Sequence, residues 1–366
     1  MREYLLTLLV AAGATYLLVA LSGRIAHRVG AVPPTRDRDV HRDPVPRLGG
    51  LAMLGGLLAA MLVASYLPRM RRVFEESTDA RALVLAAVVI CLVGVADDIW
   101  GLSALTKFAG QVLAAGLLVQ QGVQLIWLPQ PSGGVLTLEQ TQGAVLTVLL
   151  VVGTANAVNF MDGLDGLAAG VVGIGAAAFF AYAYLLTVEG GFSRLTTPAL
   201  VTAILCGMCL GFLPHNVYPA RIFMGDSGSM LIGLMLAAGS ISLTGSFPTQ
   251  AADISLLPAL LPLLVPVAVI ALPFTDLLMA VTRRTRAGRS PFAPDKQHLH
   301  HRLMEIGHSH RRAVLIMWVW AGLVAFGLVV IGLVGGWTTV AGVGLVLAVM
   351  VMVTTGRPRA LLGGKP

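Results

Sequence analysis

Two adjacent carboxylates, Asp97 and Asp98, end a long apolar run in Gly94-Val-Ala-Asp-Asp-Ile-Trp-Gly-Leu-Ser-Ala-Leu-Thr-Lys107. Like charges this close resist joint ionisation unless a cation is near. The C-terminal end of a helix is also unfavourable for anions. The pair therefore asks for a compensating cation, either Lys107 or a metal ion. A solvated helix end is the plainer alternative. A second cluster reads Asn156-Ala-Val-Asn159-Phe-Met-Asp162-Gly-Leu-Asp165-Gly-Leu, with a polar side chain at every third position. On an unbroken helix those four would sweep half the circumference. Gly163 and Gly166 allow a break that lets them converge, a usual way to build a polar site inside a membrane. A helix cap and turn would account for the aspartates and glycines, but not for two asparagines inside an apolar run.

A third cluster reads His215-Asn216-Val-Tyr-Pro219-Ala-Arg221-Ile-Phe223-Met-Gly225-Asp226-Ser227-Gly228-Ser229. Asp226 or Ser227 could be the N-cap of the apolar span that follows. A helix start rich in Gly and Ser also suits a phosphate. An aspartate beside a phosphate needs a bridging cation, and Mg²⁺ prefers one or two carboxylates completed by phosphate oxygens and water. Two polar loops complete the set. Arg36, Arg38, His41, Arg42 and Arg47 alternate with acidic residues and prolines. Arg283, Arg284, Arg286, Arg289, Lys296, His298, His300, His301 and Arg302 form a basic, histidine-rich stretch. Zinc is a poor fit to those histidines, which have no cysteine beside them. Anion binding suits Arg, Lys and His together, while positive-inside charge against lipid headgroups covers the arginines alone.

The elements that must hold these groups are membrane spans. Of 366 residues, 56% are hydrophobic and only 12% are charged, with a mean hydropathy of +0.83. A soluble fold could not cover its outside with so few polar groups. Composition excludes a soluble globular protein, a disordered chain and a disulfide scaffold. With about 20 apolar residues per crossing, the fold class is all-α, a polytopic integral membrane protein with about 11 transmembrane helices. They fall near 4–22, 48–67, 82–96, 105–121, 143–157, 167–187, 197–213, 228–244, 255–281, 313–335 and 337–354. The first reads as a retained span, since it lacks a basic leader and a small-residue cleavage site. Gly49, Gly50, Gly55, Gly56 and the Gly170 to Gly175 stretch read as helix-packing positions. Cys91, Cys206 and Cys209 read as small buried hydrophobes.

Eleven crossings put the termini on opposite sides. One set of loops holds 19 of the 25 basic residues and the other holds 6 (Arg2, Arg69, Arg71, Arg72, Arg81 and Arg194). The positive-inside rule makes the richer side cytoplasmic, with the N-terminus outside and the C-terminus inside. All eight histidines, and Asp97, Asp98, Asp162, Asp165 and Asp226, then fall on the cytoplasmic side. The net charge of +7 orients the chain and does not call for nucleic acid.

Four of these motifs in this order resemble the polyprenyl-phosphate N-acetylhexosamine-1-phosphate transferases, from about residue 30 to residue 305. The order His298-Leu-His300-His301 is similar to the WecA and TagO branch, whereas the MraY branch carries three consecutive histidines. The resemblance implies a single transmembrane domain over 1–366, with catalytic loops near 23–47, 97–107, 156–166, 214–228 and 282–312. It implies transfer of N-acetylglucosamine 1-phosphate from UDP-GlcNAc to a polyprenyl phosphate (undecaprenyl or decaprenyl), releasing UMP. This would be the first lipid-linked step of a cell-envelope polysaccharide, at the cytoplasmic face of the bacterial plasma membrane. Mg²⁺, with Mn²⁺ as a substitute, would be held by Asp226 and Asn159. Asp97, Asp98, Lys107, Asp162 and His301 would be catalytic. Asn159, Asp165, Asn216, Phe223, His298, His300, Arg302 and Arg47 would bind substrate. A homodimer is compatible with the family.

Two other readings stay open. One is an MraY-like phospho-muramoyl-pentapeptide transferase. The other, from a different class, is a secondary transporter, since broken helices and membrane aspartates also mark those. Transporters place such groups at the midplane between inverted repeats; here they sit at helix ends, and no repeat is evident.

Overall fold

The computed structural model describes residues 1–32, 44–130, 135–189, 196–246 and 309–355, together with residues 260, 264 and 285. Along the chain these form α1 (Arg2–Val29), α2 (Gly49–Tyr66), α3 (Arg71–Glu76), α4 (Asp79–Trp100) and α5 (Ala104–Gln120). After β1 (Trp127–Pro129) and β2 (Val135–Thr137) come α6 (Gln140–Met161), α7 (Leu167–Glu189), α8 (Thr196–Asn216), α9 (Gly225–Ser246), α10 (His310–Val334) and α11 (Trp337–Thr355). Among the described residues, eight helices are long and apolar enough to cross a membrane: α1, α2, α4, α6, α7, α8, α9 and α10. The shorter α5 and α11 match two more expected crossings. The one expected at 255–281 lies outside the described residues, apart from residues 260 and 264.

Local chemistry sets the helix ends. α1 stops at Gly30 (φ 77°), whose left-handed backbone favours glycine. Ser103 caps α5, its Oγ accepting from the Thr106 N–H at 3.2 Å. Glu139 and Gln142 form a capping box on α6. The expectation of an all-helical chain needs one correction: β1 and β2 pair antiparallel, with Trp127 opposite Thr137. Three-residue strands beside a proline are too short to leave a period-two pattern.

α9 forms the centre. Every residue from Ser227 to Thr244 is buried, and α2, α4, α6 and α8 pack around it. α1 lies on α2 and α8, α7 on α8 and α10, and α5 on α4 and α6. The glycines expected to pack do so. A Cβ on Gly50 would meet the backbone of Ser227 and Gly228, and one on Gly56 would meet Thr15 and the Ala11 carbonyl. One on Gly170 would meet the Trp318 ring. Such close approaches are how membrane helices gain van der Waals contact without a hydrophobic driving force between them. The three cysteines are free and buried, as expected of packing residues.

The bundle has two distinct ends. At one, Glu3 at the start of α1 accepts the backbone N–H groups of Arg69 (3.0 Å) and Met70 (3.2 Å). There too Thr78 donates to the Gln121 carbonyl at 2.7 Å. At the other end lie the C-terminal ends of α1, α4, α6 and α8 and the N-terminal ends of α2, α5, α7, α9 and α10. The three clusters around Asp97, Asn159 and Asp226 gather there.

Candidate active site

Residues 46–50 lie against the start of α9. Phe223 donates its N–H to the Pro46 carbonyl (2.8 Å), and Gly49 and Gly50 donate theirs to Phe223 and Met224 (both 3.1 Å). The turn is made at Leu48, which is fully buried with φ 88°. A left-handed leucine costs roughly 1–2 kcal/mol, so these bonds and the burial must hold it. No glycine or asparagine at this position hinted at the turn.

Asp98 of α4 reaches across to α9. Its carboxylate accepts the backbone N–H groups of Asp226 (2.9 Å) and Ser227 (3.1 Å). This corrects the expected cap. Asp226 and Ser227 lie inside the first turn of α9, and the capping carboxylate comes from another helix. It also resolves the paired-carboxylate problem, because Asp98 sits on the positive end of a second helix dipole. Asp97 is neutralised differently: its Oδ2 lies 2.8 Å from Lys107 Nζ, and its Oδ1 accepts the Leu102 N–H at 2.9 Å. Lys107 forms a second ion pair with Asp226, so one ammonium joins carboxylates of α4 and α9.

The expected break occurs between Met161 and Leu167. Asn156 and Asn159 lie on the last turns of α6, and Asp162 is its C-cap. The Asn159 amide donates to Ser229 Oγ at 3.0 Å, close to the Asp226 carboxylate, whose ionised form it favours. Asp162 is half-buried. Burial, with Asp226, Asp98 and Asp165 nearby, pushes its carboxyl up to about 7, and Arg47 offsets this only in part.

Asp165 and Asn216 are tied to backbone. Asp165 accepts the Ala220 N–H at 2.9 Å. The Asn216 Oδ1 accepts the Gly166 N–H, and its amide donates to the Ile222 carbonyl, both at 3.0 Å. Together they join the 162–166 turn to the 217–224 loop that leads into α9. Phe223 is half-buried beside them, and Arg47 is exposed at the same end. His298, His300, His301 and Arg302 lie outside the described residues, as do Arg36, Arg38, His41 and Arg42.

The donors at this end are carboxylate and amide oxygens, which suit Mg²⁺ or Mn²⁺. Five aspartates, Asp97, Asp98, Asp162, Asp165 and Asp226, lie at this end with Lys107 and Arg47 among them. No three His, Cys, Asp or Glu side chains there form a closed cage, but Mg²⁺ needs only one or two carboxylates when phosphates and water complete its shell. The residues fit such an ion.

The model of glycosyl transferase family 4 matches residues 80–244, the stretch from α4 to α9 that builds most of the site. A decaprenyl-phosphate N-acetylglucosaminephosphotransferase of Mycobacterium tuberculosis is 51% identical over 331 residues, covering 89% of this chain and 82% of that protein. The chain belongs to glycosyl transferase family 4. Within it, a probable undecaprenyl-phosphate N-acetylglucosaminyl 1-phosphate transferase of Bacillus subtilis is 34% identical, covering 83% of this chain and 78% of its own length. A phospho-N-acetylmuramoyl-pentapeptide-transferase of Desulforudis audaxviator is 33% identical, covering 90% and 98%. The family resemblance expected from the motifs is therefore established, and the helices make the chain a multi-pass membrane protein of that family.

Two further side chains take part in the site. Ser229 receives Asn159 and donates to the Gly225 carbonyl at 3.0 Å. Gln111, almost fully buried on α5, pairs with Asn156. An amide one turn beyond Lys107 in an apolar helix was the available signal, since polar side chains at membrane depth are functional candidates.

Proposed function

We propose that this protein transfers N-acetylglucosamine 1-phosphate from UDP-GlcNAc to a polyprenyl phosphate, the first lipid-linked step of a cell-envelope polysaccharide. An oxygen of the lipid phosphate attacks the β-phosphorus of the donor. The bond from that phosphorus to the bridging oxygen breaks, and UMP leaves with the oxygen. The supporting observation is the 51% identity to a decaprenyl-phosphate N-acetylglucosaminephosphotransferase, in a chain whose Asp97, Lys107 and Asp226 meet at one end of the bundle. That end is assigned to the cytoplasm by the charge asymmetry of the loops, with the N-terminus outside and about eleven crossings in all.

Phosphoryl transfer is mostly positioning and charge neutralisation. Mg²⁺, held by Asp226 with Asn159 beside it, would supply positive charge to the donor's phosphate oxygens. Lys107 binds phosphate, and Asp97 orients the lipid phosphate or takes its proton. Asp98 fixes the start of α9. Asp165, Asn216 and Phe223 shape the nucleotide side, and Arg47, His298, His300, His301 and Arg302 bind the pyrophosphate and sugar.

The test uses purified protein, decaprenyl phosphate, Mg²⁺ and a panel of sugar-labelled UDP donors, with UDP-GlcNAc and the muramoyl-pentapeptide donor among them. Labelled pyrophosphoryl lipid from UDP-GlcNAc, lost on chelation and with Asp226→Asn, is expected. No labelled lipid from any donor with folded protein would overturn the assignment.

A further inference from the structure

The most elaborate polar contact away from the carboxylates lies one helical turn deeper. Gln111 and Asn156 bond reciprocally: Asn156 Nδ2 donates to Gln111 Oε1 at 2.6 Å, and Gln111 Nε2 donates to Asn156 Oδ1 at 3.3 Å. Gln111 Nε2 also lies 3.1 Å from Met230 Sδ, and Asn156 Nδ2 also donates to the Val152 carbonyl at 2.8 Å. This layer repeats the one above it. Lys107 and Gln111 are four apart on α5, Asp226 and Met230 are four apart on α9, and Asn156 precedes Asn159 by three on α6. Residues at those spacings share a helix face.

α5 is tied near its ends by the Lys107 ion pairs and by Thr78, which donates to the Gln121 carbonyl; the amide pair holds it between them. The other residues α5 buries are Ala114, Ala115 and Leu118, and two of those three are alanine. A reciprocal amide pair cannot slide without losing both bonds, and lost polar contacts in a membrane interior are not replaced by water.

We propose that the Gln111–Asn156 pair is a positioning device that fixes the register of α5 so that Lys107 stands between Asp97 and Asp226. It deepens the proposed function, since Lys107 is the phosphate-binding group of that reading. Misplacing such a group by about 1 Å can cost on the order of a hundredfold in rate.

The test exploits the lysine count: the chain has three, Lys107, Lys296 and Lys365. The full chain is treated with an amine-reactive reagent, and labelling of each lysine is followed by mass spectrometry. Three proteins are compared: wild type, Gln111→Leu/Asn156→Leu, and the exchange Gln111→Asn/Asn156→Gln. Removing both amides leaves no orphaned partner, so the leucine pair keeps the fold, which its thermal transition checks. In that variant Lys107 should label several-fold faster, with Lys365 unchanged. Its kcat should fall at least about tenfold at similar KM. The exchange, which rebuilds the pair, should restore both. Wild-type labelling of Lys107 in the folded leucine variant would overturn the proposal, whatever its turnover. A wild-type protein that makes no labelled lipid would instead sink the transferase reading and leave the labelling result standing.

Discussion

The Asp98 carboxylate accepts the backbone N–H of Asp226 at 2.9 Å, so a side chain of α4 fixes the first turn of α9. The carboxylate next door, on Asp97, pairs with Lys107 instead. Two adjacent aspartates thus do different work. Asp98→Ala should uncap α9, lowering stability by about 1 kcal/mol and nearly abolishing lipid product. Asp98→Asn keeps an acceptor oxygen and should retain more turnover than the alanine variant. Equal turnover in the two variants would mean that the charge of Asp98 matters rather than its capping.

Lys107 is a point charge shared by two carboxylates. A guanidinium is planar and larger, and cannot take the same place between them. Lys107→Gln and Lys107→Arg should both lose at least about a hundredfold in kcat/KM, within the range expected when a preorganised charged contact is removed. Near-normal rates of labelled lipid formation with arginine would contradict that geometry.

Asp162 carries the clearest pH signature outside the spans. Its carboxyl is pushed up to about 7, so the fold favours its protonated form. That contribution is complete below the unfolded carboxylate value of about 4 and is lost as pH rises through about 7. Thermal unfolding of the metal-free protein should therefore show stability falling across this window. Asp162→Asn should flatten the fall, and added Mg²⁺ should do the same by offsetting Asp226. An unchanged slope in the asparagine variant would remove Asp162 as its source.

Gly94 packs so closely on α9 that a Cβ would collide with the backbone of Ser227, and it would lie 2.6 Å from the Asp226 carbonyl carbon. Gly94→Ala should cost about 1–3 kcal/mol by overpacking and should displace Asp226, lowering transition temperature and turnover together. Gly116, with open space where a Cβ would stand, is the control: Gly116→Ala should leave both near wild type.

Much of the site could be read from residue types. Asp97, Asp98, Lys107, Asn159, Asp162 and Asp226 stood out because ionisable and amide groups are costly in apolar runs, and the helix ends do bring them together. What stayed hidden involves partners distant in sequence. Asp98 caps a helix 128 residues away; nothing local marks that, whereas Asp226 looked like the cap because caps are usually local. Leu48 takes a left-handed turn that its type disfavours, held by bonds to Phe223 and Met224. Gln111 is in sequence like any polar residue in a helix, because its partner Asn156 is 45 residues away. The hairpin at Trp127 was too short for its pattern to register.

α9 has no face open to lipid from Ser227 to Thr244, whereas α1 exposes Leu5, Leu9 and Leu17, and α10 exposes Leu315, Val319 and Val330. Changes in bilayer thickness act on lipid-facing helices through hydrophobic mismatch. They reach the central helix only through its neighbours. The outer helices can therefore tilt to suit membranes of different depth while the strut that carries Asp226 keeps its place.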